Sequence, residues 1–223
     1  MTTLTLTKHH GLGNDFLVLF DPPDVDHALL AIRLCNRRTG LGADGLLLAH
    51  DAEGYAAQMT LYNADGSRAE MSGNGIRCFA QAVAARRGDL DPQLILTDAG
   101  DRVVVLASTD DEYTISAQVE MGEVGVIDEP LGWAALACLP DRPVAHLTMG
   151  NPHSIVGVDE VTAVDLADLG GKVPHVNLEI VEPGPESNAI TMRVHERGAG
   201  ITLACGTGAC ASAYAAAQWG LAT

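Results

Sequence analysis

Short apolar runs recur along the chain, separated by glycine, proline, asparagine and aspartate. Leu4–Lys8, Phe16–Phe20, Gly45–Ala49, Ala57–Tyr62, Leu94–Thr97, Arg102–Ala107 and Tyr113–Val119 have the length and punctuation of β-strands. Helical patterns are fewer, the best being Ala28–Thr39, Gly75–Arg87 and Gly208–Trp219. The last two are alanine-rich, and Gly88 and Gly220 follow them as stop signals. Few helices among many strands predict an α+β fold rather than an alternating βαβ sheet.

The same order of features occurs twice. A strand at Gln58–Tyr62 leads through Asn63-Ala-Asp-Gly-Ser to Ser72-Gly-Asn-Gly and a helix. A second strand at Ile190–His195 leads through Glu196-Arg-Gly-Ala-Gly to Cys205-Gly-Thr-Gly and another helix. Nine positions separate Asn63 from Ser72, and nine separate Glu196 from Cys205. Equal order and equal spacing predict two related domains, 1–109 and 110–223, divided near Ser108–Asp111.

Composition narrows the function classes. With 13 Lys and Arg against 29 Asp and Glu, the net charge is −16. That argues against nucleic acid and against anionic membrane surfaces. The first ten residues lack the apolar stretch of a signal peptide, and no run is long enough to span a bilayer, so a cytoplasmic location is expected. Five cysteines at irregular spacing fit reduced thiols rather than a disulfide framework, and none forms a CxxC pair. No metal is expected.

The two Gly-rich helix starts carry the candidate chemistry. The first N–H groups of a helix lack internal partners and carry the positive end of its dipole. Glycine lets an anion approach them, so a carboxylate can bind there without a charged side chain. A thiol placed there, as Cys205 is, is expected to titrate toward neutrality. Ser72 offers a hydroxyl at the matching place. For either motif alone, an ordinary helix cap is the simpler reading. With both helix starts facing one cleft, Ser72 and Cys205 would reach one α-carbon from opposite faces. Backbone amides would then stabilise the developing carbanion. No pyridoxal-type lysine site is visible, so no cofactor is expected.

The segments Lys8-His-His-Gly-Leu-Gly-Asn-Asp-Phe16, Gly40-Leu-Gly-Ala-Asp44, Tyr62-Asn-Ala-Asp-Gly-Ser67, Met71-Ser-Gly-Asn-Gly-Ile-Arg-Cys78, Met149-Gly-Asn-Pro-His153, Glu196-Arg-Gly-Ala-Gly200 and Ala204-Cys-Gly-Thr-Gly-Ala209 together resemble diaminopimelate epimerase, block by block and in order. The resemblance implies two pseudo-symmetric domains, each a central helix wrapped by mostly antiparallel strands, with the active site in the cleft between them. It implies two-base, pyridoxal-independent interconversion of LL- and meso-diaminopimelate, for lysine and peptidoglycan precursors. Carried over by position, Cys205 and Ser72 stand at the two bases, with Glu196 and His153 beside them. Gly73 and Asn74 match one carboxylate cradle, and Gly206 and Thr207 the other. Asn14, Asn63, Asn151, Asn177 and Arg197 match substrate-binding positions. A homodimer is compatible with the resemblance.

This chain departs from the family pattern twice. The family has cysteine where Ser72 stands, and a hydroxyl is a far weaker acid. The family also continues for several dozen residues past the position of Thr223, which implies that the second domain lacks its last strands. Three other readings stay open: a one-base isomerase, a proline or hydroxyproline epimerase, and an inactive amino-acid-binding variant.

Overall fold

The computed structural model describes residues 3–138 and 141–222. They form two compact units, Met1–Gly122 and Glu123–Thr223. The first contains β1 (Leu6–Gly11), β2 (Asn14–Phe20), α1 (His27–Cys35), β3 (Gly45–His50), β4 (Ala57–Asn63), β5 (Arg68–Ala69), α2 (Gly73–Arg87), β6 (Gln93–Thr97), β7 (Gly100–Ser108) and β8 (Ile115–Val119). Its sheet runs β1-β2-β3-β4-β6-β7-β8, with β5 paired to β4.

Strand alternation explains how two layers form on this sheet. Phe16, Val18, Leu47 and Ala49 join Ile76, Phe79 and Val83 of α2 in the main core. Leu17, Leu19, Leu46 and Leu48 point the other way, toward Ala31 and Cys35 of α1. Strands β2 and β3 are therefore apolar on both faces, the expected pattern for central strands. Helix α2 packs against β1 and β8, the two ends of the strand order, as well as against β2, β3, β4 and β7. The sheet must therefore curl around it.

Helix ends follow from local chemistry. Asn36 leaves helical geometry at ψ 118°, and its Oδ1 accepts from the N–H groups of Arg38 and Thr39. That Asx turn ends α1 short of the expected Thr39. Gly88 closes α2 at φ 80°, a left-handed conformation that glycine adopts without steric cost.

The second unit contains β9 (Gly125–Val126), β10 (Val144–Thr148), β11 (Pro152–Gly157), α3 (Leu166–Lys172), β12 (Asn177–Pro183), β13 (Ile190–Glu196), β14 (Gly200–Thr202) and α4 (Gly206–Gln218). Its sheet runs β14-β13-β12-β11-β10-β9. Leu178 and Ile180 of β12 enter a core with Val156, Leu166, Val173 and Trp133. Helix α4 packs on β10, β11, β12 and β13.

The connectivity repeats more closely than the sequence alone implies. In each unit a parallel pair (β2–β3, β11–β12) is joined through a short helix (α1, α3), so a βαβ crossover sits inside each otherwise mostly antiparallel sheet. An antiparallel strand (β4, β13), a short strand (β5, β14) and the long helix (α2, α4) follow in both. Register makes the match residue by residue. Val18 lies opposite Leu47 as Ile155 lies opposite Glu179, and Leu46 lies opposite Tyr62 as Leu178 lies opposite His195.

The boundary expected at 109/110 falls inside the first sheet. Thr109 Oγ1 donates to the carbonyl oxygens of Asp111 and Thr114, which makes Ser108–Asp111 part of the β7–β8 hairpin turn. The polar stretch that reads as a linker is a turn, and the units part at Gly122–Glu123.

Because the Leu47 side chain is wholly buried between β3 and α2, Leu47→Ala should cost about 2–5 kcal/mol. Chemical denaturation followed by far-ultraviolet circular dichroism measures the loss.

Candidate active site

In the second unit Cys205 is the N-cap of α4, and Gly206, Thr207 and Gly208 form its first turn. The helix starts two residues earlier than the periodicity suggests, because glycines weaken the helical signal without preventing the turn. The Gly208 N–H donates to Cys205 Sγ at 3.4 Å, and Thr207 Oγ1 lies 3.4 Å from the same sulfur. Asn151 Nδ2 donates to Thr207 Oγ1 at 3.3 Å, while Asn151 Oδ1 lies 3.0 Å from His153 Nε2. His153 Nδ1 stands 2.7 Å from Glu179 Oε1. Cys205, Thr207, Asn151, His153 and Glu179 thus form one continuous chain of contacts, and all five are buried.

Glu196 and Arg197 flank this chain at the end of β13. Thr202 Oγ1 donates to Glu196 Oε1. Asn177, level with Glu196 across the β12–β13 pair, accepts the Arg197 N–H on Oδ1 at 2.8 Å. Burial pushes the Glu196 carboxyl above the usual carboxylate range, with the nearby Glu179 adding to the effect.

Cys205 titrates opposite to expectation. Burial raises its pKa well above that of a free thiol, and the carboxylates of Glu196 and Glu179 raise it further. The Thr207 hydroxyl and the Gly208 N–H pull it down, but less. The helix start does favour a thiolate; desolvation beside two acidic groups outweighs it. Cys205 therefore rests as a thiol, able to give a proton. Cys78, inside α2, is pushed up to about 12, chiefly by burial.

The first unit assembles a different half-site. Ser72 is the N-cap of α2, and its Oγ accepts from the Gly75 N–H at 3.0 Å. No basic side chain among the described residues hydrogen-bonds to that hydroxyl. Asn14 Nδ2 donates to Asp44 Oδ2 at 2.6 Å, and Asn74 Nδ2 donates to Asn14 Oδ1 at 3.3 Å. Arg77 Nη2 donates to Asn74 Oδ1. Asn63 ends β4 with its Nδ2 donating to Ser67 Oγ, so it does hold a turn, and it sits one residue from the Ala64 N–H that donates to the Asp44 carbonyl. Gly73 and Asn74 are buried in the first turn of α2.

The repeated register exposes a chemical asymmetry. Where the second unit has His153, Glu179, Glu196 and Cys205, the first has Phe16, Leu47, Asn63 and Ser72. Every titratable member of the second set is matched by a side chain that does not titrate near neutral pH. The amide-bearing positions persist: Asn14 matches Asn151, and Asn74 matches Thr207 as a polar hydrogen-bonding residue. Both units place hydrogen-bonding side chains at these positions, and the second adds titratable ones.

Three residues of these half-sites escape sequence reading. Asp44 orients Asn14 and also accepts the Asp15 N–H at 3.0 Å. Arg77 buttresses Asn74. Glu179 is a fully buried carboxylate on the central strand β12. Its signal is an acid among the apolar residues of Leu178-Glu-Ile-Val181, which turns meaningful only once β12 is known to be covered on both faces.

The family model for diaminopimelate epimerase matches residues 6–127 and 146–223. A diaminopimelate epimerase of Halothermothrix orenii is 34% identical over 242 residues, covering 98% of this chain and 84% of the relative. Diaminopimelate epimerase 1 of a Nostoc species is 38% identical over 244 residues, with 97% and 85% covered. Among solved structures, a hydroxyproline epimerase from Agrobacterium vitis superposes with TM-score 0.72 at 15% identity, over 99% of this chain and 78% of that one. A phenazine biosynthesis protein of the PhzF family from Bacillus anthracis gives TM-score 0.67 at 14% identity, over 94% and 78%. The structural likenesses establish a common fold of two pseudo-symmetric domains, and the sequence relationships decide within it: this chain belongs to the diaminopimelate epimerase family.

Proposed function

We propose that the chain interconverts LL- and meso-diaminopimelate by moving the α-proton, using its own side chains and backbone amides. The observation that carries this reading is the buried thiol Cys205 at the start of α4, backed by Glu196 and His153, in a chain whose relatives over nearly its full length are diaminopimelate epimerases. In this reading one proton-bearing group comes from each unit: Cys205 from the second and Ser72 from the first. Gly73 and Asn74, and Gly206 and Thr207, offer N–H groups to the α-carboxylate, where they stabilise charge as the carbanion forms. Asn14, Asn63, Asn151, Asn177 and Arg197 bind the polar ends of the substrate, and the planar guanidinium suits a bidentate carboxylate contact. The same reading assigns the work to the cytoplasm. No described helix is long and apolar enough to cross a membrane.

Cys205 as a resting thiol fixes its first role. When the α-C–H bond is broken on the Ser72 face, the Cys205 thiol protonates the carbanion from its own face and is left as a thiolate. That thiolate removes the α-proton of the opposite isomer in the return direction. The first unit has no thiol at the matching place: Ser72 Oγ accepts from the Gly75 N–H, and its matched neighbours Phe16 and Leu47 are apolar. That asymmetry favours unequal faces, with slow turnover through Ser72.

Two outcomes follow. In D₂O, NMR should show one diaminopimelate stereoisomer losing its α-proton signal faster than the other isomer accumulates, and Ser72→Cys should raise conversion by roughly tenfold or more as the base approaches the working pH. Absence of any exchange by either protein would refute the epimerase reading. Arg197→Lys keeps the charge but loses the planar fork, so KM should rise about tenfold, the effect of losing roughly 1.4 kcal/mol of binding. An unchanged KM would remove Arg197 from the binding set.

A further inference from the structure

Glu179 has no role in the chemistry just assigned, yet it is the most deeply committed acid of the second unit. The residue is wholly inaccessible, one carboxylate oxygen is bonded to His153, and Oε2 has no hydrogen-bond partner among the described residues. Burying a carboxylate so incompletely is costly, and an apolar side chain of similar size avoids the cost. The first unit does avoid it. Leu47 stands at the matching register position and packs into the main core. The fold therefore does not require an acid here.

The backbone around Glu179 is shaped to admit it. A Cβ on Gly208 would come 2.4 Å from Glu179 Oε1 and 3.2 Å from Cys205 Sγ, so the carboxylate oxygen and the sulfur are separated by less than about 5.6 Å across the bare glycine. At the matching Gly75, the nearest contacts are the Ser72 side chain and a Leu47 methyl at 3.5 Å. Only in the second unit does the glycine bring a carboxylate toward the capping side chain.

We propose that Glu179 is a positioning residue for the Cys205 half-site: it fixes the His153 ring through Nδ1, His153 in turn sets Asn151 and Thr207, and the carboxylate charge across Gly208 keeps the proton on the Cys205 sulfur. The groups facing that sulfur are Glu196 from β13, Glu179 from β12 and the Thr207 and Gly208 donors of α4, with His153 from β11 bonded to Glu179 behind them. His153 is one step from Glu179, so its ring bond and the charge on sulfur share one origin. The raised titration of Cys205, with Glu179 among its causes, agrees with this arrangement. The sign follows directly. An anion near a thiol disfavours the thiolate, so removing it must move thiolate formation to lower pH.

The role rests on Cys205 being the reacting thiol of the proposed function, but its test needs no substrate. The thiolate absorbance of the full-length protein is titrated against pH, with Cys205→Ala subtracting the other four cysteines. Glu179→Gln keeps the shape and an acceptor for His153 Nδ1, and Glu179→Leu copies the first unit. Both should form the Cys205 thiolate at lower pH, giving on the order of tenfold more thiolate at a fixed pH below the midpoint. In parallel, Glu179→Gln should lower kcat for diaminopimelate with little change in KM. An unchanged or higher titration in both variants overturns the proposal. So does failure of the isosteric Glu179→Gln to fold, which would make the carboxylate structural. If the titration shifts but the parent protein exchanges no α-proton of diaminopimelate, the positioning role stands and the epimerase reading falls.

Discussion

A helix that begins inside a sheet leaves its first N–H groups facing buried space, and both units are organised around that demand. Gly73, Asn74 and Gly75 of α2, and Thr207 and Gly208 of α4, are all buried. Unsatisfied amides in such a place cost free energy, so each helix takes its capping residue from the preceding loop: Ser72 Oγ for Gly75, Cys205 Sγ for Gly208. The residues of these two capped turns are the ones the proposed function assigns to the substrate carboxylate, with the capping side chain beside them.

Each unit fills the space below its helix start differently. In the first, Leu47, Phe16 and Ile76 continue the apolar core up to the cap. In the second, the corresponding strands carry Glu179 and His153, and the core is interrupted by a polar chain ending at the sulfur. Polar groups in so dry a place interact strongly and are held in one arrangement. The consequence for the thiol is a contest between helix-start donors, which favour the anion, and burial beside two acids, which opposes it. The acids and burial prevail. A resting thiol rather than a thiolate follows from that balance.

The repetition of one topology with two interiors explains how far an epimerase fold can divide its labour. Matching strands, crossovers and caps give both units the same amide donors, and the register fixes where side chains must stand. At four matched positions the second unit carries titratable side chains where the first carries none that titrate near neutral pH. Asp44 and Arg77, which brace Asn14 and Asn74, belong to the first unit.

The sequence by itself determined the two long helices, the strands of the first unit and the paired Gly-rich starts, because those rest on local periodicity and on residues with distinctive backbone behaviour. It also determined the family, through blocks such as Met149-Gly-Asn-Pro-His153 and Ala204-Cys-Gly-Thr-Gly-Ala209. Tertiary structure decided what depends on partners distant in the chain. Strands β10 to β12 and the short α3 take their form from pairing across the sheet rather than from a strong local pattern. The turn at Ser108–Asp111 reads as a linker until β8 pairs with β7. Glu179 looks like one more surface acid until β12 is covered on both faces and Gly208 is brought against it. The titration of Cys205 went the same way: the helix start is written locally in Cys205-Gly-Thr-Gly, but the burial and the opposing carboxylates come from strands tens of residues away, and charge interactions follow distance in space rather than along the chain.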